Sequence, residues 1–177
     1  PEGNGTAAGK LFVALHAARR AALSGWTSGA SPELFAAFTH LLETKGISVV
    51  YQPVVSLSSG DILGWEALAR GPRDGYFHCP DVLFDFAEQA GRLFALEKAC
   101  REAAIRNAAP LGPGQKLFLN IHPRTICDPA FTRGETLKIA QAAGLDPAQV
   151  VFEITERHGV SDFGHLNRVL EHYRRQG

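Results

Sequence analysis

The chain has 177 residues, of which 45% are apolar, 9% aromatic and 20% charged; this composition excludes disorder along the whole length, and the length allows a core without disulfide or metal staples. Eighteen Lys plus Arg balance eighteen Asp plus Glu, so no global field draws the chain to a DNA or RNA polymer or to an anionic membrane. No apolar run approaches a membrane span, and the start PEGNGTAAGK lacks the basic head and apolar stretch of a signal peptide. A cytoplasmic protein is expected. Cys79, Cys100 and Cys127 show no C-x-x-C spacing, which predicts reduced structural thiols rather than a disulfide framework or a zinc ribbon. There is no methionine, even at position 1, so the sequence reads as a piece of something larger.

In chain order, Leu11, Phe12, Leu15, Ala18 and Ala22 fall at helical spacing across residues 6–24. After a small-residue break, Ser31-Pro32-Glu33 gives a helix start signal, Leu34, Phe38, Leu41 and Leu42 form its buried stripe, and Gly46 is expected to end it. Residues 1–46 therefore read as a helical lead-in or linker. From Ile47 the pattern turns to β-branched runs. Ile47 to Val55 and Ile62 to Arg70, split by Ser58-Ser59-Gly60-Asp61, predict a hairpin. Helices are expected over 80–91 and 93–109, a strand from Lys116 to His122, a helix over 130–143, a strand from Val150 to Thr155, and a last helix capped by Ser161. Strands alternating with helices predict an α/β protein with a largely parallel sheet.

The chemistry lies where polar residues break the strand pattern. In Trp65-Glu66-Ala67-Leu68-Ala69-Arg70, period-two alternation puts Glu66, Leu68 and Arg70 on one face and the alanines on the other. Asn120 interrupts the apolar run Leu117-Phe118-Leu119-Asn120-Ile121, and Glu153 shares a face with Val151 and Thr155. An inward carboxylate needs a cation or a hydrogen-bond network. Two carboxylates and an amide oxygen on neighbouring strands would suit Mg2+ or Mn2+, and parallel sheets place their sites at the C-terminal strand ends. The planar fork of Arg70 could hold a phosphate. The alternative is structural: each of these residues can be solvated, and Glu66 can pair with Arg70.

Four segments in order, Tyr51-Gln52-Pro53-Val54-Val55, Gly64-Trp65-Glu66-Ala67-Leu68-Ala69-Arg70, Leu117-Phe118-Leu119-Asn120 and Phe152-Glu153-Ile154-Thr155-Glu156-Arg157, resemble the EAL domain, the bacterial phosphodiesterase family that linearises cyclic di-GMP. The resemblance runs from Val50 to Gly177. It implies a TIM-like (β/α)8 barrel of EAL type, of which residues 47–177 would be about the first half, with the first strand antiparallel and the site at the C-terminal mouth. Glu66, Asn120 and Glu153 would be Mg2+ or Mn2+ ligands, with Glu66 and Glu153 in the catalytic set. Gln52, Leu68 and Arg70 would contact the dinucleotide, and Glu156 would hold an active-site loop from outside the ligand set. The implied reaction is metal-assisted in-line attack of water on phosphorus, giving linear pGpG. The implied setting is bacterial cytoplasmic signalling, with cyclic di-GMP as ligand, other signalling domains in the parent chain and homodimer contacts as further partners.

The family's Asp-Asp pair and its later lysine, acids and glutamine are absent, which predicts that the chain ending at Gly177 is inactive alone and exposes surfaces for pairing. A non-catalytic EAL-like receptor for cyclic di-GMP, or a protein-interaction module, is the alternative. Other candidates are weaker. His165 and His172, seven apart, read as a solvated pair, His122 as a strand-end histidine, and Arg73 as a phosphate neighbour without a P-loop around it.

Overall fold

The computed structural model describes residues 31–122, 125 and 134–154, together with positions 164, 167, 171 and 174. Helix α1 spans Pro32–Glu43 and starts as its sequence dictates: Leu34 N donates to Ser31 Oγ at 3.3 Å, and Pro32 occupies the first turn. Glu33 lies in the same turn, where backbone and Ser31 hydrogen bonds hold its carboxyl below the usual range. The helix end differs from expectation. The left-handed residue is Lys45, at φ 53°, not Gly46. Lys45 N donates to Leu42 O and Gly46 N to Leu41 O at 2.9 Å, the double bond of a Schellman ending. Gly46 is needed for space, since a Cβ there would lie 2.8 Å from Leu41 Cδ1.

Strands β1 (Ser48–Val55) and β2 (Ile62–Arg70) form the expected antiparallel hairpin, with a bulge between Val54 and Val55. Helices α2 (Pro80–Gln89) and α3 (Leu93–Arg106) follow, then β3 (Lys116–Ile121), α4 (Glu135–Ala142), a short 3-10 turn at Pro147–Gln149 and β4 (Val150–Ile154). β3 runs parallel to β2, and β4 parallel to β3, in the sheet order β1-β2-β3-β4. Only the first strand is reversed. The helix expected over 6–24, the start of the one expected at 130, Cys127 and Glu156 lie outside the described residues. Of the last expected helix, positions 164, 167, 171 and 174 are helical, while Ser161, His165 and His172 lie outside the description.

Alternation along each strand separates two faces. Val49, Tyr51, Ala67, Leu117, Leu119, Val150 and Phe152 pack on the helix side, around Ala104, Ile105 and Ala140. Leu117 and Leu119 are fully buried. The small alanine at position 67 on β2 meets Ala104 of α3 in this cluster, so that helix and sheet can approach closely. The Tyr51 hydroxyl crosses the same layer to donate to Ala104 O at 2.7 Å. A second cluster gathers Phe38 of α1, Phe77 before α2 and Phe86 of α2, whose ring centroids lie 4.9–5.5 Å apart, with Leu96 and Ala103 of α3. Among the described residues, no helix is long and apolar enough to cross a membrane.

Candidate functional site

The other face of the sheet carries the polar residues. Strand register settles their relation: Gln52 lies across from Glu66 on β1 and β2, and Asn120 across from Glu153 on β3 and β4. Asn120 Nδ2 donates to Glu66 Oε1 at 2.8 Å, closing the gap between β3 and β2. Glu66, Asn120 and Glu153, spread over 87 positions of sequence, thus come together on one face of three parallel strands, Asn120 and Glu153 next to the C-terminal ends of β3 and β4 and Glu66 midway along β2. Two residues on from Glu66, Leu68 shares its face, and Arg70 ends β2.

The electrostatics follow from that contact. Burial raises the proton affinity of the Glu153 carboxyl, and the neighbouring Glu66 charge raises it further. Two carboxylates on one sheet face, one of them hydrogen-bonded to a neutral amide between them in strand order, are a donor set a hard divalent cation fits, because the cation offsets the like charge and takes oxygen ligands. Among the described residues, no group of three or more His, Cys, Asp or Glu forms a metal cluster; here the third donor is the amide of Asn120. The pairing of Glu66 with Arg70 is not found. Arg70 Nη1 donates at 2.9 Å to the carbonyl of Ala69, and none of the described ion pairs joins Arg70 to Glu66.

Glu66, Leu68, Arg70 and Asn120 also line a cavity of about 280 Å3 that extends between the strand ends and helices α2 and α3. Its far wall holds two residues that the sequence reading did not single out, Glu97 and Arg101. They are 4% and 6% exposed, one turn apart on α3, with Arg101 Nη1 3.4 Å from Glu97 Oε2. Glu97 Oε1 accepts the main-chain N–H of His122 at 2.6 Å. Burial pushes the Glu97 carboxyl up to about 7, against the opposing pull of Arg101, the His122 N–H and the Thr125 side chain. Cys100, beside them, has its thiol pushed up to about 12 by burial and by the Glu97 charge, and reads as an inert packing group. Arg73 is exposed.

The EAL domain family model matches residues 36–177. The chain belongs to the EAL domain family. A stretch of 124 residues is 30% identical to the Escherichia coli K12 protein named probable cyclic di-GMP phosphodiesterase PdeB, covering 66% of this chain and 23% of that protein. Another, of 128 residues, is 34% identical to the uncharacterized protein Rv1354c of Mycobacterium tuberculosis, covering 68% of this chain and 20% of the relative. The matched segment therefore spans 20–23% of the length of these curated relatives. Among solved structures, Klebsiella pneumoniae BlrP1 in a calcium and cyclic di-GMP complex is similar at a TM-score of 0.62 and 26% identity, over 75% of this chain and 33% of that one. The FimX EAL domain of Pseudomonas aeruginosa, bound to cyclic di-GMP, aligns at 0.65 over 80% of this chain and 57% of its own, and at 24% identity shows the fold alone. The four-stranded sheet with its reversed first strand is thus part of the TIM-like barrel of EAL domains.

Proposed function

We propose that this EAL segment supplies the β1–β4 side of a site that binds cyclic di-GMP and, with a divalent cation, hydrolyses it to linear pGpG. The observation that carries the reading is the meeting of Glu66, Asn120 and Glu153 on adjacent strands. Family membership, the naming of PdeB as a probable cyclic di-GMP phosphodiesterase and the calcium and cyclic di-GMP complex of BlrP1 support it.

In this reading Glu66, Asn120 and Glu153 hold Mg2+ or Mn2+. When bound, the cation supplies Lewis-acid stabilisation of the phosphodiester and acidifies water. The chain's own residues position the substrate. Arg70 offers its guanidinium to a phosphate, Leu68 an apolar contact, and Gln52 an amide at the strand edge. The protein works in the bacterial cytoplasm within a larger signalling chain.

The test is chromatography of cyclic di-GMP after incubation with Mg2+ or Mn2+ and the longest natural polypeptide containing this segment. Linear pGpG is expected, and Glu153→Gln is expected to weaken Mn2+ binding by at least about tenfold with the fold intact. Intact substrate in a folded, ligand-binding sample would overturn hydrolysis in favour of a receptor, and an unchanged Mn2+ titration would remove Glu153 from the site.

A further inference from the structure

The β2–β3 ladder ends at the pair Ala67 and Leu119, one residue before Asn120, whereas β4 continues alongside through Glu153 and Ile154. Past Asn120 the main chain is tied to α3 by the bond from His122 N to Glu97 Oε1 at 2.6 Å. The donor sits two residues beyond Asn120, and the acceptor comes from the middle of α3, fixed by burial and by Arg101. Thr125 then closes the segment, its N and Oγ1 both donating to His122 O, at 3.1 and 2.8 Å.

We propose that Glu97 is a positioning residue, a carboxylate of α3 that anchors the main chain two residues beyond Asn120 and thereby sets where Asn120 presents its amide to Glu66. The inference rests on the proposed metal site for its consequence, though not for its geometry. A carboxylate suits the task because it accepts from the main-chain N–H with one oxygen and from the Arg101 guanidinium with the other. Glutamine retains an acceptor of the same reach. Aspartate keeps the charge but is one methylene too short to reach His122 N from the same helix position. Partners behind metal ligands typically change metal affinity 10–100-fold when removed.

The experiment uses the longest natural polypeptide containing the segment, isotopically labelled and metal-free, as wild type, Glu97→Gln, Glu97→Asp and Glu97→Ala. Hydrogen exchange at the His122 amide and the side-chain NH2 resonances of Asn120 are followed by NMR, and Mn2+ is then titrated. Glu97→Gln should keep both signals close to wild type. Glu97→Asp, which preserves a buried charge for Arg101 if the alanine variant does not fold, should speed exchange at His122 at least about tenfold and move the Asn120 resonances. It should also weaken Mn2+ binding about tenfold or more, with no further loss when added to Asn120→Ala. Unchanged His122 exchange and Asn120 resonances in Glu97→Asp would overturn the proposal, as would a uniform acceleration across all of α3 and the sheet. If Asn120→Ala leaves Mn2+ affinity untouched, the metal reading fails, and Glu97 is still decided by the two metal-free signals.

Discussion

Gly64 opens the Gly-Trp-Glu-Ala-Leu run on β2, and its lack of a side chain is a packing requirement. A Cβ there would lie 2.2 Å from Lys116 O, 2.9 Å from Lys116 C and 2.8 Å from Phe118 Cε2. The first two atoms belong to the backbone of the paired strand and cannot rotate away. Bringing the oxygen out to 3.0 Å, the shortest distance real Cβ atoms keep, requires β2 and β3 to separate by about 0.8 Å. Ladder bonds near 2.9 Å would then exceed 3.5 Å. Overpacking of this kind costs about 1–3 kcal/mol, and each weakened ladder bond about 0.5–1.5 kcal/mol. Gly64→Ala should therefore destabilise by about 2–4 kcal/mol. Gly60 is the control: it needs a positive φ of 76° but has nothing within 4 Å of an added Cβ, so Gly60→Ala should cost only about 1–2 kcal/mol. Urea denaturation of the natural polypeptide followed by circular dichroism measures both. Because Glu66 lies two residues from Gly64 and reaches across to Asn120 at 2.8 Å, the same shift should weaken Mn2+ binding. A Gly64→Ala protein within 0.5 kcal/mol of wild type, or more stable than Gly60→Ala, would refute the close-approach argument.

Two further outcomes follow from burial. The Glu97 carboxyl, raised from 4.5 to about 7 in the folded protein, makes the folded state hold its proton more tightly than the unfolded chain. Its contribution is therefore most favourable below pH 4.5 and is lost as pH rises to 7; between pH 5 and 8, wild type should lose about 2–3 kcal/mol relative to Glu97→Gln. Urea midpoints for the two proteins across that range check the sign, and a constant difference would show that Glu97 is ionised throughout. Leu117 is fully buried under α3 and α4, so Leu117→Ala should destabilise by about 2–5 kcal/mol, and a loss below 1 kcal/mol would contradict its place in the core.

Strand β2 was legible to the residue because its alternation and the turn residues at 58–61 agree, and agreement between levels is what makes a segment readable. Glu66, Asn120 and Glu153 were legible for the opposite reason: each breaks an otherwise apolar face. Their contact was not, since Asn120 to Glu66 depends on register between strands 54 residues apart. Glu97 and Arg101 were missed because Glu and Arg at i,i+4 have the same spacing in a solvated pair. A signal existed. Phe94, Glu97, Arg101 and Ala104 fall on one helical line, and both Phe94 and Ala104 are buried. Lys45 was missed because sequence alone favours Gly46 for the left-handed turn.

The choice of an amide at position 120 makes sense only when the two carboxylates are considered together. A third carboxylate between Glu66 and Glu153 would add like charge where Glu153 already has its proton affinity raised by Glu66. Asparagine instead offers a donor to Glu66, which stabilises that carboxylate, and keeps an oxygen free of the charge problem. The same amide is useful only if it is aimed. A buried acid on α3, held by Arg101 and bonded to the main chain two residues on, fixes the strand end that carries it. If Glu97 sets the aim of Asn120, the helix that packs the apolar face of the sheet also orders the polar one, and substitutions at Glu97 should be felt there first through Asn120.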